Sequence, residues 1–307
     1  MKNNGTFIKG KDDFPVYLYI WNKVNNPKGV VQIFHGMSEH AARYNEFAKY
    51  LNKEGYIVYA SDHRGHGKTA KGIDNLGNIG EDGFNNTVYD GYIINRMIKK
   101  SYSNLPIILL GHSFGSFIAQ EYIIKHGKSI DGLILSGSAK MEGMSIKLGQ
   151  IISTMQKRIY DDKNKANLID KVSFGNFNKK IKHPISKFSW LTRDEKQVAK
   201  YDEDPLCGTI FPITFYYYFF DGLSKLYIKE RLEKIPKNLP ILIFSGDKDP
   251  VGGYGKLVKK LYETYKDMGM KDVNIELYPG GRHEMLNEIN RKEVYNHIVD
   301  WIKEAYE

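Results

Sequence analysis

Gly111-His112-Ser113-Phe114-Gly115 fits the pattern G-x-S-x-G, in which a serine sits on a sharp turn between a strand and a helix. Its surroundings meet that requirement: an apolar run, PIILL at 106–110, enters the pentapeptide, and a helix-forming stretch, 114–126, leaves it. The glycines have a physical purpose, because flanking side chains would clash at a turn this tight. The turn would also hold the hydroxyl near a helix N-terminus, where the backbone dipole favours developing negative charge. A hydroxyl is a weak nucleophile until a base takes its proton. Two late histidines are available. His283 lies in YPGGRHE, a loop after the last strand-like run, whereas His297 falls within the final amphipathic stretch and reads as packing or surface. His283 is therefore the expected base. A third group must orient the imidazole and stabilise its charged form. The loop SGDKDP offers two, Asp247 and Asp249, and their residue types do not choose between them. Such a set performs nucleophilic acyl transfer.

These residues need a scaffold that brings loops together at one edge of a sheet. Short β-rich runs alternate with longer amphipathic stretches, which predicts an α/β fold with a mostly parallel sheet and helices on both faces. Phe7–Ile8 and Val16–Trp21 predict an opening antiparallel hairpin. Further strands are predicted at Val30–Phe34, Tyr56–Ala60, 106–110, Asp131–Leu135, Pro240–Phe244 and Val273–Tyr278. Helices are predicted over 41–54, 84–100, 114–126, 254–268 and 289–305. The alternation breaks between about 138 and 238, a helical and irregular stretch rich in lysine and aromatics. The expected organisation is a core at 1–137 and 239–307 with a cap inserted at 138–238.

The chain has 307 residues and a formal net charge of +9. The predicted cap holds 19 Lys or Arg against 12 Asp or Glu, so most of the excess lies there. A basic face of this kind is either simply solvated or approaches anionic membrane lipid. No nucleic-acid module or basic-aromatic motif accompanies the charge, so no nucleic-acid partner is expected. No apolar run reaches the roughly 18 residues of a membrane span, and the opening residues show no secretory pattern. A lone cysteine, Cys207, forms no internal disulfide, and a cytoplasmic location is expected. The charged stretch Asp62–Lys68 contains two histidines, but no further His, Cys and carboxylate cluster completes a metal set at recognisable spacing. It reads as a structured glycine-rich loop, and no metal is expected. His35 reads as a buried brace of its own loop. No motif encodes an oligomeric state.

HGMSEHAARY, DHRGHGKT, GHSFGS, SGDKDPVG and GGRHEMLNE stand in an order and spacing that resembles monoglyceride lipase and bacterial lysophospholipase-like α/β-hydrolases. FGNFNK and FSWLTRDEKQVAKYDEDPLCG, in the predicted cap, look like the bacterial branch of that group, and the resemblance spans nearly the whole chain. It implies an α/β-hydrolase fold, a lid over Ser113, no cofactor, and a lipid monoester or other small carboxylic ester as substrate. A peptidase branch shares the same framework, an acyltransferase would use the same acyl-enzyme with an alcohol in place of water, and a non-catalytic ligand binder of this fold is the alternative of a different class. The G-x-x-D pattern of related sequences implies Asp249 as the acid, with Asp247 as a turn residue. The oxyanion hole is expected from the amides of Phe114, after the nucleophile, and Met37, in the HGMSEH loop. An acyl chain needs an apolar wall. Phe215, Phe219 and Phe220 of the run FYYYFF are the candidates, with Phe211, Ile213, Tyr216, Met141, Met144 and Ile151 as further members.

Overall fold

The computed structural model describes residues 4–306. One eight-stranded sheet organises the chain, in the order β1-β2-β4-β3-β5-β6-β7-β8. The opening strands β1 (Asn4–Lys9) and β2 (Pro15–Trp21) form the expected antiparallel hairpin, and β2 pairs antiparallel with β4 (Tyr56–Ser61). From β4 through β3 (Gly29–Phe34), β5 (Ile107–His112), β6 (Gly132–Ser136), β7 (Ile241–Gly246) and β8 (Val273–Tyr278), every pairing is parallel. The five strands β3 to β7 are buried along their whole length. Their continuous apolar sequences, such as IILL and ILIF, reflect cover on both sheet faces.

Helices supply that cover. On one face, α1 (Asn45–Lys53) and α10 (Arg291–Tyr306) bury Phe47, Leu51, Val294, Ile298 and Trp301 against Val31, Ile33, Leu110 and Ile134. On the other, α2 (Gly83–Ser101), α3 (Phe114–His126) and α9 (Lys256–Asp267) pack against Phe34, Leu109 and Leu135. The predicted helix over 41–54 is split: 41–44 forms a tight turn, and α1 begins only at Asn45. Gly55, at φ 97, follows α1 where a side chain would be strained. Between β6 and β7 the chain leaves the sheet and forms α4 (Met144–Ile159), α5 (Asn167–Phe174), α6 (Glu195–Glu203), α7 (Ile213–Lys225) and α8 (Lys229–Leu232). In α7, Phe215, Tyr216, Phe220 and Leu223 join the core on the α2 and α3 side. No helix among the described residues is long and apolar enough to cross a membrane.

Candidate active site

The turn between β5 and α3 carries Ser113 at φ 49 and ψ −118, a conformation that an L-residue adopts only under constraint. The constraint is visible. The Ser113 N–H donates to the Ser136 carbonyl at 2.9 Å. The Ser116 hydroxyl donates to the Ser113 carbonyl at 2.6 Å. Gly115 is required by space, since a Cβ there would lie 2.2 Å from the Phe34 carbonyl oxygen and 2.5 Å from that of His35. Ser113 thus stands above the C-terminal edge of the sheet, at the start of α3.

Two loops from later strands meet it. After β7, Asp249 is fully buried and accepts from the Ser245 hydroxyl at 2.7 Å and the Val251 N–H at 2.9 Å. After β8, His283 is buried with Nδ1 3.0 Å from Asp249 Oδ2. Burial alone would lower the His283 pKa, but the Asp249 charge and hydrogen bond override it and hold it above the ordinary imidazole value. Burial would likewise raise Asp249, yet His283 and its other donors hold it below the usual carboxylate range. With Nδ1 donating to Asp249, His283 Nε2 is the free ring nitrogen. It is buried, has no hydrogen-bond partner among the described residues, and its ring borders the cavity that Ser113 also borders. Asp247 does something else: its Oδ1 accepts from the Gly280 N–H at 2.7 Å, bracing the histidine loop. His297 bonds the Tyr278 hydroxyl at 2.8 Å from α10 and has no part in this arrangement.

The expected oxyanion loop lies beside Ser113. A Cβ on Gly36 would sit 3.3 Å from Ser113 Cβ. The Gly36 N–H donates to Glu39 Oε1 at 2.5 Å, closing the turn that carries Met37. Phe114 is the first residue of α3, so its N–H has no intrahelical acceptor. Met37 and Phe114 both border the cavity. His35 braces this loop as expected. Its Nδ1 donates to the Gly36 carbonyl at 2.8 Å, and its Nε2 accepts from the His63 N–H at 3.0 Å. Burial and then the neighbouring His63 and His66 push its pKa well down, so it is neutral.

The structure also shows groups that the sequence did not single out. Arg43 makes a two-pronged pair with Glu284 at 2.7 Å on each prong, and contacts Glu39 at 2.5 Å. All three side chains are nearly buried. This triplet ties the loop that carries Met37 to the residue after His283. Glu39 and Arg43 stand four apart in HGMSEHAARY, a spacing that permits pairing, but nothing local pointed to Glu284. Trp190, from the insertion between β6 and β7, lies 5.0 Å from the His283 ring, centroid to centroid. The Leu191 carbonyl accepts from the Glu284 N–H at 2.7 Å, so the insertion is anchored directly to the histidine loop.

Ser113 opens into a cavity of about 310 Å³. On the α3 side, Phe219 packs 5.4 Å from Phe114 and 5.9 Å from Phe117, and Phe220, Met141 and Ile146 continue the wall. Phe215 does not border the cavity. It is fully buried behind Phe114, at 5.2 Å, and beside His66 and Phe211. The same holds for Phe211 and Ile213, which are buried in the core, while Met144 and Ile151 face outward and are exposed. Phe215 and Phe219 stand one turn apart on the same face of α7, with ring centroids 6.1 Å apart, but Phe215 is packed deeper, against His66 and Phe211, while Phe219 reaches the cavity.

For a metal, the described residues offer one dense group: His40, Asp204 and Cys207, whose ligand atoms lie within 4.8 Å of one another. His40 Nε2 already bonds Asp204 Oδ2 at 2.8 Å. Burial, more strongly than the opposing charge of Arg43, keeps the Cys207 thiol protonated. A protonated thiol beside a guanidinium makes a poor cation site, and the His40–Asp204 bond ties the loop after β3 to the insertion. Asp62 organises the glycine-rich loop by accepting from the Ala41 and Lys68 N–H groups at 2.8 and 2.7 Å.

The serine aminopeptidase S33 family model (Hydrolase_4) matches residues 25–290. The chain is 28% identical to a monoacylglycerol lipase of Mycolicibacterium smegmatis, over 92% of this chain and 91% of that protein. It is 26% identical to human monoglyceride lipase, over 92% of this chain and 85% of that protein. Its structure superposes on a thermostable carboxyl esterase from Bacillus coagulans, solved in complex with glycerol, with a TM-score of 0.92, 29% identity and full coverage of both chains. With the matched model spanning the elbow, both later loops and the whole insertion, the chain belongs to the serine aminopeptidase S33 family, as a monoglyceride lipase-like α/β-hydrolase.

Proposed function

We propose that this protein hydrolyses carboxylic esters of lipid type, monoacylglycerols or lysophospholipids, through an acyl-enzyme on Ser113. The observation that carries the reading is the buried Asp249–His283 pair beside a strained serine at the mouth of an apolar cavity. Ser113 Oγ attacks the ester carbonyl as His283 Nε2 takes its proton. The amides of Met37 and Phe114 hold the oxyanion. The carbonyl re-forms, the ester C–O bond breaks, and His283 gives its proton to the departing alcohol. A water, deprotonated by His283, then attacks the acyl carbonyl, and Ser113 leaves with the proton as the fatty acid departs. Asp249 holds the imidazole tautomer and stabilises its charged form.

The cavity wall of Phe219, Phe220, Met141 and Ile146 suits an acyl chain, and residues 138–238 act as the cap that closes over it. An aminopeptidase would need a carboxylate for the substrate ammonium. Of the three carboxylates among the described residues that border the cavity, Glu39 and Glu284 are committed to Arg43 and Asp170 accepts from the Tyr216 hydroxyl at 3.3 Å, so the anilide in the panel below decides between the ester and peptidase readings. The relatives' names as monoacylglycerol lipases, and the phospholipase YtpA of Bacillus subtilis at 29% identity over 144 residues, support the lipid class. We further place the enzyme in the cytoplasm, where its lone buried Cys207 stays reduced, and against an anionic membrane. Support for the latter comes from α4, where Met144, Leu148, Ile151, Met155 and Ile159 are exposed at helical spacing and flanked by exposed Lys147 and Arg158.

The test is a substrate panel for wild type and Ser113→Ala: monoacylglycerols of several chain lengths, a lysophospholipid, short p-nitrophenyl esters and an aminoacyl anilide. Turnover of the lipid esters that falls on the order of 10⁴- to 10⁶-fold in Ser113→Ala is expected. Anilide cleavage without ester cleavage would move the enzyme to the peptidase reading.

A further inference from the structure

Among the described residues that border the cavity, two keep a buried side-chain polar atom with no hydrogen-bond partner. One is His283 Nε2, which acyl transfer employs. The other is Asn178 Oδ1, which nothing in that chemistry employs. The Asn178 amide is not free to turn: its Nδ2 donates to the Ser186 carbonyl at 2.8 Å, which fixes Oδ1 as the leftover atom. A buried acceptor without a donor costs free energy unless a ligand or water supplies one.

The position of Asn178 says which part of a substrate would meet it. Trp190 packs against His283, and the ring of Phe177 meets Trp190 edge-on at 4.8 Å. Asn178 follows Phe177 directly and itself borders the cavity, so this chain of ring contacts ties its segment to the His283 end of the lining. His283 delivers its proton to the departing alcohol, so the alcohol half occupies this side. Asp170, Ser173 and Lys187 also border the cavity and add polar character to its lining.

We propose that Asn178 recognises the alcohol half of the substrate, its Oδ1 accepting a hydrogen bond from a free hydroxyl on that half. The proposal rests on the ester-hydrolase reading and adds a specificity-determining residue to it. An acceptor selects a donor: a polyol ester such as a monoacylglycerol supplies one, and a simple alkyl ester of the same acid does not. Rejection of the analogue that lacks the hydroxyl follows from the unpaired acceptor left behind.

The experiment compares kcat/KM for monolauroylglycerol and ethyl laurate in wild type, Asn178→Leu and Asn178→Asp, with fluorophosphonate labelling of Ser113 confirming folded enzyme. Leucine removes both the acceptor and the donor to Ser186. Aspartate removes the donor and keeps the acceptor. The glycerol-to-ethyl ratio is expected to fall roughly tenfold or more in Asn178→Leu and to stay within about threefold of wild type in Asn178→Asp. An unchanged ratio in Asn178→Leu overturns the proposal, because water then satisfies the atom. An equal fall in both variants also overturns it, because the bond to Ser186 then explains the effect. Ser113-dependent turnover of both esters with no wild-type preference refutes the role of Asn178 and leaves the hydrolase reading intact. Absence of any Ser113-dependent ester turnover refutes that reading, and the role of Asn178 with it.

Discussion

His283 Nδ1 stands 3.0 Å from Asp249 Oδ2, and neither side chain is more than 1% exposed. At that burial the two cannot be independent. Desolvation opposes charge on both, and each reverses the effect for the other.

The pH dependence of catalysis follows with a definite sign. His283 must be neutral to accept the Ser113 proton, and its pKa is raised above the ordinary value of about 6.5. Activity therefore increases as pH rises through that pKa, and the acidic limb of kcat/KM is expected above pH of about 6.5. Asp249→Asn removes the charge that raises it, leaving burial to dominate. The limb should move to lower pH while kcat falls by a factor on the order of 10³–10⁴. Asp247→Asn, which only weakens the bond to Gly280 N–H, should retain most activity and the wild-type limb. A pH–rate profile of the three enzymes checks this, and equal losses in both variants would refute the division of roles.

Arg43 carries the second prediction. Burial raises Glu284, but the two-pronged pair with Arg43 outweighs it and brings the carboxyl to about 2. Glu39, where burial outweighs the same guanidinium, sits above its ordinary value. Arg43→Met leaves two buried carboxylates facing each other. Unfolding in urea should show a loss on the order of 3–5 kcal/mol at neutral pH. For Glu284 the sign with pH is opposite to wild type. Without Arg43, burial raises both carboxylates above their unfolded values, so the folded variant binds more protons and its deficit shrinks as pH falls toward about 5. A deficit that stays constant from neutral to acid would rule out unpaired charge as its cause.

How much of this was legible in the sequence depends on how local each feature is. The Ser113 elbow was readable because strand, glycines and helix are contiguous. His283 was readable because it follows the last strand in a glycine loop. The choice of Asp249 over Asp247 came from resemblance, and the structure supplies the physical reason: Asp249 faces inward to His283, while Asp247 turns to the Gly280 amide. The run FYYYFF announces an aromatic helix but not the depth of each ring: Phe215 packs behind Phe114 in the core, while Phe219, one turn on along the same face, reaches the cavity. Residue type does not separate a cavity wall from a solvent face, and Met144 and Ile151, expected in the wall, point to solvent. Asn178, Trp190 and Glu284 acquire their neighbours from segments far apart in the chain, and no spacing in the sequence encodes such meetings.

The outward face of α4 gives the third prediction. Met144, Leu148, Ile151, Met155 and Ile159 recur every three or four residues, so they form one stripe. Met144, at 79% exposed, and Ile159, at 71%, bracket it. A stripe of this length in water is unfavourable unless something covers it, and exposed Lys147 and Arg158 beside it suit an anionic lipid surface. Each apolar side chain transferred into lipid contributes about 1.5–3 kcal/mol, and each nearby cation about 1 kcal/mol. Ile151→Ser with Met155→Ser removes two apolar contacts and no charge. Sedimentation with vesicles containing phosphatidylserine should therefore show affinity reduced roughly 100-fold or more. Hydrolysis of a short soluble p-nitrophenyl ester should be unaffected, because neither residue borders the cavity. Salt separates the two contributions: charge attraction is screened as ionic strength rises, and apolar burial is not. Wild-type binding should consequently weaken in high salt and persist in part. Binding that vanishes in salt and survives the double substitution would assign the contact to charge alone and leave the α4 stripe without a role in it.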